Sequence, residues 1–351
     1  MAVAKLILED GTTTTGQLFG APISVSGEVV FATGMVGYDM SMTDPSYAGQ
    51  ILVFTYPLIG NWGVPKEKYW ESSKVHTKAI IVGDLTTAPN HWQMQQTLDA
   101  WARSQGVPIL SGIDTRALAQ KLRDHGVMLG KIVASHDLKF EDPNKRNLVA
   151  EVSVAKLQIH KPKNIKYKIG LLNCGSKRNI LNSLLKRDAM VYEMPWDYDP
   201  FTNKLELDGL LISNGPGDPK MADKSIAIVK KSMEAKLPTF GVCLGNQLLA
   251  LAAGGDTYKL KFGHRSQNQP TIEIGTNRCY ITTQNHGFAV DEKKLPKGFK
   301  PWFTNANDGT NEGIKHEKLP FFTIQFHPEA TPGPTDTLWL FDYFLERVRN
   351  G

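Results

Sequence analysis

Apolar positions in the second half of the chain alternate between short continuous runs and a helical period. Runs of five or six residues, the length of buried strands, lie at residues 169–173, 189–194, 209–213 and 238–242. Between them, apolar residues recur at three- and four-residue spacing at residues 179–186, 226–233 and 244–253. Strands and helices in alternation predict βαβ units, and therefore an α/β fold with a doubly wound, mostly parallel sheet.

The first half of the chain has a different pattern, with short strands, many glycines and few helices. Helical spacing appears there only near residues 91–104 and 115–124, which predicts a smaller, β-rich α+β domain. Residues 154–168 are basic, contain Pro162 and lack an apolar period, so we interpret them as a linker. The expected organisation is an N-terminal domain at residues 1–153, the linker at 154–168 and a second domain at 169–351.

The composition is that of a folded protein. The chain has 351 residues, of which 41% are hydrophobic, and this length and composition suit two packed domains. Its formal net charge of +5 is too small to predict nucleic-acid binding.

Three cysteines are too few for a disulfide framework, and no paired cysteines or histidines have the spacing of a metal site. Charges at Lys5, Glu9 and Asp10 argue against a signal peptide, and no apolar stretch is long enough to span a membrane. We therefore expect a cytoplasmic protein with no nucleic-acid or membrane partner.

The most informative segment passes from a predicted strand into a predicted helix through Gly241-Val-Cys243-Leu-Gly245. This is the pattern of a nucleophile elbow with Cys in place of Ser. The glycines remove side chains that would collide at a sharp turn, and a helix N-terminus favours the thiolate of Cys243. The backbone N–H of Leu244 would face a developing oxyanion. For an isolated cysteine, however, an inert buried thiol is the more common outcome, so the remaining motifs decide.

The segment His327-Pro-Glu329 supplies the partners that a nucleophilic cysteine needs. Residues i and i+2 of an extended chain point to the same side, so His327 could accept the thiol proton while Glu329 orients its ring. Two other histidines compete for this role. His264 lies in a segment more typical of a structural or interface residue, and His286 has no acidic neighbour at this spacing.

A third motif, Asn214-Gly-Pro-Gly-Asp218, follows a predicted strand. At the carboxyl edge of a parallel sheet, such a loop offers backbone N–H groups to an anion or a carbonyl oxygen. The same residues also occur in ordinary turns, so the loop is informative only together with the other two motifs.

In this order, the three motifs resemble those of a class I, or triad, glutamine amidotransferase domain. The resemblance implies that Cys243 attacks the side-chain amide of glutamine, that His327 is the general base and acid, and that Glu329 is the orienting acid. Ammonia then leaves, and water hydrolyses the glutamyl thioester. The resemblance also implies that the N–H groups of Leu244 and Gly217 form the oxyanion hole.

The whole chain resembles the small subunit of carbamoyl phosphate synthase. The segments that carry this likeness are residues 6–11, 27–31, 37–38, 43–47, 55–61, 112–116 and 284–290. The resemblance implies that glutamine is held by Ser46, Gly215, Gly217, Leu244, Gln247, Asn285, Gly287 and Phe288. Ser46 would reach the site from the first domain, which implies a pocket near the domain interface.

The family also implies a partner. A large synthetase subunit would use ATP with Mg²⁺ and bicarbonate to make carbamoyl phosphate for pyrimidine and arginine biosynthesis. The sequence has no Gly-x-x-x-x-Gly-Lys-Ser/Thr pattern, so we expect no cofactor in this chain and assign ATP to the partner. Residues 304–313 are similar to the fused eukaryotic synthases. Because the chain ends at Gly351, we expect a separate large subunit, in a heterodimer or higher assembly, unless the sequence is part of a longer protein.

Two alternatives stay open. Asn246 stands where most relatives carry His, and some fused synthases that have lost the nucleophile carry Asn there, so the chain could be a weak or silent glutamine-binding regulatory subunit. A stand-alone cysteine hydrolase of peptides or esters would fit the elbow but not the first domain. Because Cys243, His327 and Glu329 are all present, we expect activity. We expect Cys174 to be a small buried residue without chemistry.

Overall fold

The computed structural model describes residues 2–350, and the chain divides into two compact units between Lys145 and Arg146. The boundary therefore differs from the predicted one at residue 153. Residues 158–160 of the predicted linker form a strand that pairs with the sheet of the second unit. Two of its three side chains are exposed, as is common for an edge strand, and this is why the segment resembles a solvated linker in the sequence.

The first unit is a closed seven-stranded barrel with the strand order β1-β2-β6-β5-β4-β3-β7. Its strands are β1 (Val3–Leu8), β2 (Thr13–Gly20), β3 (Val25–Ala32), β4 (Gln50–Phe54), β5 (Ala79–Ile81), β6 (Pro108–Ser111) and β7 (Met128–Val133). Its helices are α1 (Tyr38–Thr43), α2 (Leu98–Ser104) and α3 (Thr115–His125). Alternate residues of β1 are buried, as a half-buried strand requires. The predicted β-rich α+β domain is confirmed.

The second unit is built on one ten-stranded sheet. Its helices are α4 (Leu148–Val152), α5 (Arg178–Leu185), α6 (Asp223–Glu234), α7 (Leu244–Ala252) and α8 (Trp339–Asn350). Its strands are β8 (Gln158–His160), β9 (Tyr167–Asn173), β10 (Ala189–Pro195), β11 (Gly209–Ile212), β12 (Thr239–Val242), β13 (Thr257–Glu273), β14 (Cys279–Val290), β15 (Phe299–Asn305), β16 (Asn311–His316) and β17 (Phe321–Ile324).

The centre of this sheet is the predicted parallel part, in the order β10-β9-β11-β12-β17. Strand β8 adds to one edge and β16, β15, β13 and β14 extend the other, all in antiparallel pairs. The parallel sheet of βαβ units is confirmed, but half of the strands are antiparallel. Those strands are joined without intervening α-helices, so the βαβ pattern of the sequence did not reveal them.

Helices cover both faces of the parallel strands. Leu211 of β11 joins an apolar cluster with Ile180 of α5 and Phe344 of α8. Its neighbour Ile212 joins a second cluster, on the opposite face, that includes Leu248 of α7. Strands β11 and β12 are buried along their whole length, as parallel strands with two covered faces are. Their carboxyl ends lead into the predicted loop and the predicted elbow.

Among residues 2–350, none of the helices is long and apolar enough to cross a membrane.

Candidate active site

Cys243 lies between the last residue of β12 and the first residue of α7, with φ +54° and ψ −102°. This backbone conformation is rare for a residue with a side chain and marks a strained turn. The flanking glycines are required by close backbone contacts. A Cβ on Gly241 would lie 2.4 Å from the carbonyl oxygen of Gly245, and one on Gly245 would lie 2.3 Å from that of Ile212. The junction therefore has the geometry expected of a nucleophile elbow.

His327 and Glu329 follow β17, the strand beside β12. His327 Nδ1 lies 2.6 Å from Glu329 Oε1, and the backbone N–H of His327 donates to the carbonyl oxygen of Thr283 at 2.9 Å. His327 Nε2 is buried and has no hydrogen-bond partner among the described residues. With Nδ1–H donating to the carboxylate, Nε2 is the atom that can accept or donate a proton.

Lys177 is a site residue that the sequence did not reveal. It directly precedes α5, its side chain is only 2% exposed, and its Nζ lies 3.1 Å from Glu329 Oε1. Nζ also donates to the carbonyl oxygen of Ala330 at 2.8 Å. A lysine at the start of a helix is ordinarily solvent-exposed, so nothing local to Lys177 indicates that it lies beside a carboxylate 152 positions later.

The charges of these three side chains set their protonation. Burial disfavours the Glu329 carboxylate, but the charges of Lys177 and His327 outweigh it and lower the pKa of Glu329 well below its ordinary value. Burial also disfavours the His327 imidazolium, but the Glu329 carboxylate outweighs it, so the pKa of His327 is raised, with the Cys243 thiolate acting in the same direction. The site therefore favours an imidazolium, the form that pairs with a thiolate and can protonate a leaving amine.

Two further groups approach the Cys243 sulfur. The thiol can donate to the carbonyl oxygen of Asn285, 3.7 Å from Sγ. The side-chain amide of Gln325, a residue that the sequence analysis did not select, donates through Nε2 to Sγ at 3.6 Å. No strand alternation marks Gln325, because residues 325–326 form a bend and residues 328–329 form a turn.

Most of the residues predicted to bind glutamine lie beside the elbow helix α7 or on strand β14. Gly215 packs against Leu244 so closely that a Cβ on the glycine would lie 2.7 Å from the leucine side chain. Gln247 Nε2 donates to the carbonyl oxygen of Phe288 at 2.8 Å. Asn285, Gly287 and Phe288 all lie on β14, the strand whose Asn285 carbonyl faces Sγ.

The remaining residues of the predicted glutamine site are Gly217 and Ser46. Gly217 has φ +82°, and a Cβ there would approach Leu148 at 3.3 Å; its place in an oxyanion hole remains a prediction. Ser46 belongs to the first unit, where it is buried in a short 3₁₀ helix and its N–H donates to Asp44 Oδ1 at 2.9 Å. Its contact with glutamine likewise remains a prediction.

The other two candidate histidines belong to a buried cluster with Glu312, and the ligand atoms of the three residues lie within 4.8 Å of one another. His264 bridges Asp308, 3.0 Å from Nε2, and Glu312, 3.3 Å from Nδ1. Burial lowers the pKa of His264, but the two carboxylates outweigh it and raise the value to about 9. Although the sequence predicted no metal site here, the three residues have spacing that a cation could use. Their observed contacts are those of an ionic cluster centred on a His264 imidazolium.

Comparison with known proteins agrees with both halves of the sequence interpretation. The family model of class-I glutamine amidotransferases matches residues 171–347, and that of the carbamoyl-phosphate synthase small chain, CPSase domain, matches residues 6–132. The carbamoyl phosphate synthase arginine-specific small chain of Neurospora crassa is 46% identical over 362 residues, which cover 99% of this chain and 80% of that protein. The chain belongs to the carbamoyl phosphate synthase small-chain family. The recognition made from the sequence is thereby confirmed.

Other members of the family are much longer. The multifunctional protein CAD of Squalus acanthias is 50% identical to 99% of this chain, which spans 16% of its length. The mitochondrial carbamoyl-phosphate synthase [ammonia] of Homo sapiens is 46% identical to 99% of this chain, which spans 24% of its length. Small-chain sequences therefore occur both as separate chains and within longer proteins, and the name of the human relative specifies ammonia.

Proposed function

We propose that this chain hydrolyses L-glutamine as the glutaminase part of a carbamoyl phosphate synthase. The observation that carries the proposal is the nucleophile elbow at Cys243 beside a His327 ring whose second nitrogen donates to a buried carboxylate. An inert buried thiol needs neither a strained backbone nor an oriented imidazole. Family membership adds the substrate class, since the class-I amidotransferase match contains both residues.

The first half-reaction forms a thioester. His327 Nε2 takes the proton of the Cys243 thiol, and the sulfur attacks the side-chain carbonyl carbon of glutamine. The carbonyl oxygen becomes an oxyanion that the backbone N–H groups of Leu244 and Gly217 would stabilise. His327 then returns the proton to the amide nitrogen, the carbon–nitrogen bond breaks, and ammonia leaves.

The second half-reaction restores the enzyme. His327 takes a proton from water as the oxygen attacks the thioester carbonyl carbon. The carbon–sulfur bond breaks, the new carboxyl group releases its proton to solvent as glutamate leaves, and the imidazolium is again paired with the Cys243 thiolate. Glu329 and Lys177 keep the charge balance of the buried site through both half-reactions without exchanging protons themselves.

We further propose that the ammonia is passed to a large synthetase subunit or domain. That partner would use ATP with Mg²⁺ and bicarbonate to make carbamoyl phosphate, for pyrimidine or arginine biosynthesis. Free ammonia is mostly protonated in neutral water and is then no longer a nucleophile, which favours transfer through protein. A cytoplasmic location remains our expectation for this chain, although one relative is named as mitochondrial.

The second candidate function is a silent, glutamine-binding regulatory subunit. It is favoured by Asn246, and by relatives named for ammonia that are as similar as those named for small chains. A general cysteine hydrolase loses its support, because residues 6–132 match the synthase small-chain domain.

Acid quenching during turnover, followed by mass spectrometry, distinguishes the two candidates. Hydrolysis predicts a glutamyl adduct on the peptide that contains Cys243, absent from a Cys243→Ser variant that still binds glutamine. A chain that binds glutamine but never carries the adduct would be the silent subunit.

A further inference from the structure

We propose that Gln325 is a further catalytic residue, whose side-chain amide stabilises negative charge on the Cys243 sulfur, and that Asn246, together with Gln247, fixes this amide in its working orientation. The inference rests on the proposed function, since it concerns the same thiolate. It also gives Asn246 a role in the site.

The backbone ties Gln325 to the nucleophile. Gln325 directly follows β17 and lies two positions before His327, in the bend at residues 325–326 that leads from the strand to the histidine. The N–H of Cys243 donates to the carbonyl oxygen of Ile324 at 2.8 Å. With its side chain fully buried, Gln325 holds Nε2 3.6 Å from Cys243 Sγ, within range of an N–H···S hydrogen bond.

The hydrogen-bond network determines which end of the Gln325 amide faces the sulfur. Oε1 accepts from Asn246 Nδ2 at 3.0 Å and from Gln247 Nε2 at 3.1 Å. The Gln247 amide is oriented in turn, because its Nε2 also donates at 2.8 Å to the carbonyl oxygen of Phe288, which can only accept. Turning the Gln325 amide over would set its N–H group against two N–H donors, so the donor must face Sγ.

The donor matters because a carbonyl oxygen near the sulfur acts in the opposite direction. The Asn285 carbonyl oxygen, 3.7 Å from Sγ, can accept the S–H proton and therefore favours the neutral thiol. A hydrogen bond to the charged form of a group favours that form, and bonds to ionised acceptors are stronger than neutral ones. Gln325 therefore favours the thiolate in the buried site.

The sulfur is negatively charged twice in the proposed cycle, before it attacks glutamine and as the thioester breaks down. A donor to Sγ lowers the energy of both states but makes no contact required for the substrate to bind. Loss of the donor should therefore reduce kcat while leaving KM nearly unchanged.

Asn246 acts through Gln325 and makes no hydrogen bond to the sulfur within the described part of the chain. Replacing its donor Nδ2 by an oxygen would repel Gln325 Oε1 and allow the amide to present oxygen to Sγ. We therefore expect Asn246→Asp to impair the thiolate in the same direction as a direct change at Gln325, and less strongly.

The test is the pH dependence of Cys243 alkylation by iodoacetamide, measured in the full chain in a Cys279→Ser background because Cys279 is exposed. The Gln325→Glu variant keeps an Oε1 that accepts from Asn246 and Gln247 but replaces the Nε2 donor. Gln325→Leu removes the donor without adding a charge. In both variants we expect the midpoint of the alkylation profile to rise by at least about one pH unit, with kcat reduced about tenfold per unit and KM within about twofold.

The matched control is Gln269→Glu. Gln269 Oε1 also accepts from two amide groups, those of Asn305 and Asn307, but its Nε2 donates to Ser266 rather than to sulfur. This variant should leave the alkylation profile unchanged.

An unchanged profile in folded Gln325→Leu, or an equal shift in Gln269→Glu, would overturn the inference. If a Gln325 variant does not fold, Asn246→Asp carries the same test with a smaller shift. Because alkylation needs no turnover, a chain that releases no glutamate would refute the proposed function while the role of Gln325 is still tested.

Discussion

Lys177 and Glu329 form an ion pair inside the second unit, with Nζ 3.1 Å from Oε1 and side-chain exposures of 2% and 0%. The same carboxylate oxygen accepts from His327 Nδ1. A buried carboxylate without a cation would take up a proton and lose its hold on the imidazole. Lys177 thus allows the orienting acid of a catalytic triad to lie out of solvent.

Removing Lys177 should destabilise the fold, because it leaves the Glu329 charge buried beside a single partner. We expect Lys177→Met to lower the free energy of unfolding by about 3–5 kcal/mol, measured by urea denaturation. The double variant Lys177→Met/Glu329→Gln should recover much of this loss, since both charges are gone. The surface pair Lys224–Asp197, 3.0 Å apart with exposures of 59% and 37%, gives the control, and Lys224→Met should cost less than about 1 kcal/mol. Equal losses in the two single variants would contradict a buried pair.

The free energy of unfolding should depend on pH in part through the protonation of His264. Its pKa in the folded chain is about 9, above the ordinary 6.5, so the folded state binds the proton more tightly than the unfolded state. The stabilisation is therefore complete below about pH 6.5 and is lost as the pH rises through 9. Relative to a His264→Asn variant, the unmodified chain should lose on the order of 3 kcal/mol across this window. A difference between the two proteins that stays constant from pH 6 to 9.5 would contradict the His264 imidazolium.

The three cysteines should differ in reactivity. Burial raises the pKa of the Cys174 thiol to about 12, with a smaller opposing effect from Ser225, so Cys174 should resist iodoacetamide in the folded chain at neutral pH. Exposed Cys279 should be alkylated without loss of activity. Alkylation of Cys243 should abolish activity, and saturating glutamine should slow it. Peptide mapping after brief labelling tests all three expectations, and early modification of Cys174 would contradict the burial that we describe.

The elbow glycine Gly245 should not tolerate a side chain. A Cβ there would lie 2.3 Å from the carbonyl oxygen of Ile212, and backbone cannot move away as a flexible side chain can. We expect Gly245→Ala to lower the free energy of unfolding by at least about 1–3 kcal/mol and to reduce Cys243 alkylation by iodoacetamide. Gly83→Ala is the control, since its Cβ would meet only atoms 3.7 Å away. A Gly245→Ala variant as stable as the control would show that the turn is looser than described.

The sequence predicted those parts of the site whose residues lie close together in the chain. Cys243 lies in a pattern of five residues, and the structure gives it the expected elbow geometry. His327 and Glu329 lie in a pattern of three residues and are paired as expected, but through a turn at residues 328–329 rather than along an extended chain. Lys177 and Gln325 were missed for different reasons. Lys177 meets its partner only through the tertiary fold, whereas Gln325 lies in a bend that no strand alternation marks.

The fold was predictable where local periodicity sets the architecture. The alternating strands and helices of residues 169–253 give the parallel sheet with helices on both faces. The pairing of the antiparallel strands β13–β16 could not be predicted, because β13, β14 and β15 are partly exposed and the pairing depends on long-range register. The edge strand β8 was mistaken for a linker because edge strands carry the polar residues typical of linkers.

The most direct measurement of the central claim is glutamate release from L-glutamine. It should be followed with the purified chain alone and with a carbamoyl phosphate synthase large subunit supplied with ATP, Mg²⁺ and bicarbonate, beside a Cys243→Ala control. We predict slow hydrolysis by the chain alone, faster hydrolysis with the partner, and none in the variant. Glutamate release that survives in Cys243→Ala, or no release from a folded, partner-bound chain, would contradict the account; the second result would make Asn246→His the next variant to measure.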